Sequence, residues 1–572
     1  MDNARIFLWI GLAMLAWMNV VQWNRDYGMA PAPAAATAAP AATASPAGGS
    51  STLPSLPTDA AAQPPPAAAP AADGTVPAIP AAPAAPTAAA PELANAPAIH
   101  VVTDVLDIDV SLTGGTLTRA DLLAYPVNKV KDSPPVRMLT TDDLNFQVAR
   151  SGLRAAGGGA EPTHLAAYTA AATEYRLAPG ADELRVPLSW TDGQGLVVTK
   201  TYVFRRGSYA IDLVYDVTNG TAADWKAASY LQFARHVYSP KRSMFDVESY
   251  AYRGPAIYDG KKYRKLDVED EAGKFNEKFA GGWMAEMQHH FVNAAVPPVT
   301  ETFDYTLGVD GAHSLLGFIG PLRAVPAGTT AQYAEKLWIG PKLQAQLEKV
   351  GPKLELTADY GKLTILAQPL FWLLEQVHKV VRNWGWSIII VTILLKLLFY
   401  KLTETSGRSM AKMRTIGPRM KSIQERYKDD REALAKHMME LYKREKINPL
   451  AGCLPILVQI PVFLAFYWVL LESVEMRQAP WLGWIQDLSS RDPYFVLPII
   501  MGGAMFAQFK LNPAPPDPMQ AKVFALMPIV MTVMMAWFPS GLLLYWTTNT
   551  LLSIAQQWNI NRVVAAEAKK RG

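Results

Sequence analysis

Between Trp386 and Trp558 the chain runs through five apolar stretches, about 386–402, 450–471, 494–511, 523–538 and 541–558. At about 1.5 Å per residue, helices of this length approach the ~30 Å of a bilayer's hydrocarbon core. No other feature restricts the fold so strongly, because in lipid every backbone N–H and C=O must find a partner within the protein. The stretches are apolar all round, with no alternation of period two, so they predict helices. Pro455, Pro461, Pro498 and Pro528 would trouble a soluble helix but are tolerated in a membrane bundle. Trp481, Trp484, Tyr494, Trp537 and Trp558 lie near the ends, where interfacial aromatic anchors belong. A sixth apolar run, Ile6 to Trp23, opens the chain and reads as an uncleaved anchor within residues 1–29. A cleaved secretory signal is the competing reading, but its apolar core is shorter and its start more basic.

Charge sets the orientation. Segment 401–446 carries 13 cations against seven acids, while 472–493 has only Arg477 and Arg491 against Glu472, Glu475, Asp487 and Asp492. Positive charge favours the cytoplasmic side, so 401–446 and the basic tail 559–572 are expected inside and 472–493 outside. Six spans then place both termini in the cytoplasm. The large region between the first and second spans is expected across the membrane, in the periplasm of a bacterium with two membranes.

That region has two parts. Residues 30–98 contain 30 Ala and 16 Pro, and Pro at this density prevents helix and leaves an extended spacer. From 99 to 341 apolar and polar residues alternate, as in Leu106-Asp107-Ile108-Asp109-Val110-Ser111-Leu112. Leu196–Phe204 and Tyr209–Thr218 flank Arg205-Arg206-Gly207-Ser208 as the arms of a hairpin. A mostly antiparallel β-sandwich is predicted. His289-His290, beside Phe291-Val292, reads as a pair of strand residues. Helical spacing returns over 342–384, where Leu370, Leu374, Val377 and Val381 mark one face of an amphipathic helix suited to the membrane interface.

Within the first span of the C-terminal group, Lys396 stands ten residues past Trp386, about 15 Å into the hydrocarbon. A cation at that depth costs roughly 2.5–3.5 kcal/mol on insertion scales and faces a bundle interior or a wet cavity. Snorkelling of its long stem to the cytoplasmic interface is the plainer alternative. Thr392 shares its face, and Gln459 and Gln508 are polar positions in other spans. Together they suggest a hydrated intramembrane groove. In the predicted helical hairpin 403–449, Met410, Met413 and Met420 mark an apolar face on which partners could dock.

Only 18% of the 572 residues are charged, and the net charge of +4 is too small to argue for nucleic acid. The single cysteine, Cys453, excludes an intramolecular disulfide. No H-E-x-x-H, G-x-S-x-G, Walker or dinucleotide motif occurs, so no catalytic residues, metal site or cofactor are expected. A secondary transporter or channel for a small solute is the main rival, and would predict paired intramembrane charges and internal repeats. A membrane-anchored periplasmic carbohydrate enzyme is a second.

Asn448-Pro449-Leu450-Ala451-Gly452-Cys453-Leu454-Pro455, continuing Gln459-Ile460-Pro461-Val462-Phe463, resembles the signature of the YidC/Oxa/Alb family of membrane-protein insertases. Asp517-Pro518-Met519-Gln520, Trp537-Phe538-Pro539-Ser540-Gly541-Leu542 and Leu544-Tyr545-Trp546 resemble its later motifs. The resemblance implies a five-helix core (385–402 and 450–558) around a hydrophilic groove, closed on the outside, beneath a periplasmic β-super-sandwich. It makes Lys396 the groove cation, where the family usually has Arg, and adds Tyr545 to the groove. It further implies nascent membrane proteins as substrates, and the Sec translocon, the ribosome or targeting factors, and the inner-membrane lipid bilayer as partners.

Overall fold

The computed structural model describes residue 93 and residues 95–571, apart from 158–159, 239–250, 428–429, 446–453 and 512–517. The expected anchor at 1–29, nearly all of the Ala/Pro spacer, and Asn448–Cys453 and Asp517 of the signature motifs lie outside the described residues.

Ala98 to Pro341 fold into two packed sheets of eleven and nine strands. Among the described strands every pairing is antiparallel except that of Ala98–Val102 with Glu174–Arg176. Alternation works as the pattern demands: in Leu106–Ser111 the side chains of Leu106, Ile108 and Val110 turn into the core. Leu196–Arg205 and Ala210–Asn219 pair with Phe204 opposite Ile211, and Gly207 in their turn takes the positive φ of 68° that a side chain disfavours. Trp283, Trp338, Tyr202, Tyr215 and Phe233 are fully enclosed between the sheets.

The rest is helical: α1 (Gln344–Val350), α2 (Thr364–Val381), α3 (Trp384–Leu398), α4 (Tyr400–Thr415), α5 (Gly417–Arg426), α6 (Arg431–Arg444), α7 (Leu454–Glu472), α8 (Val496–Leu511), α9 (Pro518–Met535) and α10 (Ser540–Arg571). In α2, Ala367, Leu370, Phe371 and Leu374 form the buried stripe, while Ile365, Trp372 and Val380 stand out on the opposite face. Helices α2, α3, α7, α8 and α10 share one apolar core through Leu374, Ile388, Phe466, Met501 and Leu543. Close approaches rely on small residues. A Cβ on Gly385 would lie 2.2 Å from the Trp481 ring, and one on Gly502 would lie 2.0 Å from Thr532 Oγ1.

Two expectations change. The run 386–402 is not one straight helix: it breaks at Phe399, whose backbone leaves helical geometry (φ −90°, ψ 9°), and α4 departs at 68° to α3. No single described helix is long and apolar enough by itself to cross a membrane, although α3 and the start of α4 pass that test together. His289 and His290 are not strand residues. They form the bend between strands Trp283–Met287 and Phe291–Val296, stacked at 3.8 Å between ring centres.

That bend is where the sandwich meets the helices. His289 Nε2 donates to the Leu471 carbonyl at the end of α7 (3.0 Å). Burial pushes its pKa down to about 3, so the ring is neutral. Tyr360 is fully buried, and its hydroxyl lies 2.6 Å from Gln344 Nε2 and 3.2 Å from Ser473 Oγ.

Candidate functional site

Helix α3 starts where Asn383 caps it, its side-chain oxygen accepting from Trp386 N at 3.1 Å. Three turns further on, Lys396 is half-buried and reaches across to α10. Its ammonium donates to Ser553 Oγ at 2.7 Å and Asn549 Oδ1 at 3.2 Å. Ser553 Oγ in turn donates to the Asn549 carbonyl at 2.7 Å, which fixes the hydroxyl's lone pairs toward the lysine. The side chain therefore turns in toward α10. No carboxylate pairs with it among the described residues.

Beside it lies a cavity of about 40 Å³, lined by Thr392, Lys396, Gln459, Tyr545 and Asn549 together with aliphatic and aromatic side chains. At roughly 10–15 Å³ per water, that is room for a few waters. The structure thus brings together four of the five residues expected in the groove. Gln508 is half-buried on α8 and does not line this cavity. Thr392 spends its hydroxyl on the Ile388 carbonyl (2.6 Å). Tyr545 is almost wholly buried, its ring stacked on Phe466 at 4.6 Å. The polar lining continues below: Gln556 Nε2 donates to Thr403 Oγ1 at 2.8 Å. Asn549, Ser553 and Gln556 are spaced four and three apart, so they fall on one face of α10. That spacing is a signal legible in the sequence, although it does not say which helix the face meets.

At the end of the bundle where α3 and α10 begin, the loop between α7 and α8 is tightly bonded. Asp492 is fully buried and accepts from Trp484 Nε1 (3.0 Å), Tyr494 N (3.0 Å) and Leu497 N (2.7 Å). Asp487 accepts from Gln478 N, Ser489 N and Ser489 Oγ at 2.7–2.9 Å. The loop's backbone also holds the start of α10, since Gly541 N donates to the Leu488 carbonyl.

On the other side of the bundle, α5 and α6 form the expected charged helical hairpin. Its methionine face turns inward. Met420 and Ile416 are buried against Met413, Met438, Leu441 and Tyr442. Met410 is half-buried on α4. The docking face assigned to Met413 and Met420 is thus used by the hairpin for its own packing, because two amphipathic helices bury their apolar stripes against each other first.

Two polar groups in the sandwich have chemical potential on paper. His100, Asp107 and Asp109 could converge on a cation. Arg119 already fills that place, donating to Asp109 at 2.6 Å, Asp107 at 2.7 Å and Asp121 at 2.7 Å. A cleft of about 200 Å³ holds Asp212, Lys336 and Lys349, but its carboxylate is ion-paired with Arg205 at 2.5 Å. Among the described residues Asp212 is the one carboxylate lining this cleft, where glycoside hydrolysis uses two.

The fold and site define a two-part chain, a β-sandwich joined to an α-helical core that holds one inward-turned cation. Residues 98–373 match the family described as the YidC periplasmic domain, and 376–568 match the 60Kd inner membrane protein family. The membrane protein insertase YidC of Thioalkalivibrio sulfidiphilus is 47% identical over 583 residues, covering 100% of both chains. That of Nitrosococcus oceani is 44% identical over 99% of this chain and 100% of the relative. A crystal structure of an active YidC insertase with its first transmembrane domain resolved covers 80% of this chain and 92% of that one, at 17% identity and TM-score 0.35. The chain belongs to the YidC family of inner-membrane insertases, which is not a family of enzymes, and its sandwich is the family's periplasmic domain.

Proposed function

We propose that this chain inserts newly made proteins into the inner membrane by lowering the barrier for their polar segments. The observation that carries the reading is Lys396, held inward by Asn549 and Ser553 at the edge of a small cavity within the helical core, whose largely apolar wall also presents Thr392, Gln459 and Tyr545. A fixed positive charge and a few waters there spare a short acidic segment the crossing of a full hydrocarbon slab. Apolar parts of the substrate then slide out against lipid. No bond is made or broken.

In this reading the chain spans the membrane six times, with both termini in the cytoplasm. The break after α3 makes its span short, about 22 Å for 15 residues, which thins the barrier where Lys396 sits. The α5–α6 hairpin faces the ribosome or a targeting factor with its charged outer surface, and the Sec translocon is a partner for larger substrates. The solute-transporter alternative would need a second intramembrane ionisable group to couple with Lys396. The described ion pairs include none with it.

The test is insertion of a single-span substrate with an acidic translocated tail into proteoliposomes. Lys396→Arg retains activity, whereas Lys396→Glu impairs that substrate more than one with a neutral tail. Equal insertion of both substrates by the Glu variant refutes the charge-attraction step.

A further inference from the structure

One contact between the sandwich and the helical core has no part in the groove. Strands Leu117–Pro126 and Pro135–Leu139 form a hairpin whose tip, residues 127–133, reaches the loop that joins α7 to α8. Lys129 Nζ donates to the carbonyls of Gln478 (2.8 Å) and Gln486 (2.6 Å). In return Arg477 Nη2 donates to the carbonyls of Pro126 (2.8 Å) and Val127 (3.0 Å), and Gln478 Nε2 donates to Pro126 (2.9 Å). The tip is therefore fixed beside Leu482 and Trp484, which this loop leaves 59% and 42% exposed.

Asn128, Asp132 and Ser133 supply the turn, as hairpin ends favour, but Val127 is 47% and Val130 71% exposed beside them. Lys129 and Lys131 flank Val130, against the single acid Asp132. With Lys129 held by the loop, two exposed β-branched side chains beside the exposed Lys131 suit a membrane surface, where the apolar groups enter the headgroup layer and the Lys131 ammonium meets lipid phosphate. Bonding to the outer loop puts the tip at that level, and the exposed face of α2 that carries Ile365 and Trp372 is a second apolar surface.

We infer that residues 127–133 are a second membrane foot of the sandwich, seated in the headgroup layer of the outer leaflet with Val130 inserted and Lys131 on anionic lipid. This rests on the reading that the helical core spans the bilayer with the 472–493 loop outside. The foot and α2 then hold the sandwich at two separate points, and so fix its tilt over the core.

Cys453 is the only cysteine, so Cys453→Ser gives a background for single labels. An environment-sensitive fluorophore is placed at Val130→Cys, Ile365→Cys or Leu144→Cys in the full chain. Leu144 is 79% exposed beyond the far end of strand Pro135–Leu139 and serves as the aqueous control. The protein is reconstituted in phosphatidylethanolamine–phosphatidylglycerol vesicles containing headgroup spin-labelled lipid. Quenching at 130 is expected to be close to that at 365 and several-fold above that at 144. Lys131→Glu is expected to reduce quenching at 130 in these vesicles and not in pure phosphatidylcholine. Quenching at 365 with only control-level quenching at 130 overturns the foot while leaving the spanning core intact. A blue shift at 130 without lipid quenching places the tip against protein and also overturns it. Control-level quenching at both 130 and 365 overturns the foot together with the interfacial reading of α2.

Discussion

Removing the Ser553 hydroxyl isolates what holds the groove cation in place. Ser553 Oγ is 2.7 Å from Lys396 Nζ and Asn549 Oδ1 is 3.2 Å away, so Ser553→Ala deletes the shorter of two bonds and leaves the lysine's other anchor. A hydrogen bond to a charged group contributes about 1.5–3 kcal/mol in soluble proteins. Interhelical bonds in membranes average about 0.6 and reach about 1.7. An intermediate value near 1 kcal/mol corresponds to a shift of about five-fold between the inward and released ammonium. Protease protection of an acidic substrate tail in proteoliposomes is expected to fall by about that factor in Ser553→Ala. In a Lys396→Met background the same substitution is expected to change nothing, because its partner is gone. Equal losses in both backgrounds would mean that Ser553 acts through helix packing alone, and the reasoning fails.

Three further outcomes follow from packing and burial. Asp492→Ala removes a fully buried carboxylate shared by three donors, so thermal unfolding in detergent is expected to show a loss of about 2–3 kcal/mol, with Asp492→Asn recovering part of it. Gly385→Val drives a side chain into Trp481 and is expected to cost about 1–3 kcal/mol; Gly503→Ala, with nothing within 4 Å, is the neutral comparison in the same assay. In the sandwich core, burial pushes Lys200 down to about 7 and Glu335 up to about 7. Between pH 4.5 and 7 the folded state holds one more proton, on Glu335, so stability falls as pH rises. Between 7 and 10.5 the unfolded state holds one more, on Lys200, so stability rises by up to about 1.4 kcal/mol per unit. The difference in denaturant unfolding between the native chain and Lys200→Met is expected to carry the upper limb alone; a flat difference above pH 7 refutes the assignment.

Much of the fold was legible because the patterns were local. Alternation in Leu106–Leu112 and the turn at Gly207 depend on a few consecutive residues, and the strands form where the pattern puts them. The junction was not legible. His289-His290 sits beside an apolar pair and reads as strand, but its place is set by Leu471, about 180 residues away, whose carbonyl takes a hydrogen bond that only a bend can deliver. The methionine face was legible as apolar and helical, yet periodicity cannot distinguish an apolar face awaiting a partner from one facing the next helix of the same hairpin.

The same limit governs the groove. Lys396 announced itself because a lone cation in an apolar run is costly and needs compensation. What compensates it lies on α10, more than 150 residues later, in Asn549 and Ser553. Each is an unremarkable polar residue in a span. Their four-residue spacing puts both on one face, and Gln556 extends that face to Thr403 on α4, just past the break at Phe399. There α4 turns by 68° to α3, and its first turn is already polar, with Lys401, Thr403 and Glu404. One face of α10 therefore meets polar groups on both sides of the break, the Lys396 ammonium before it and the Thr403 hydroxyl after it.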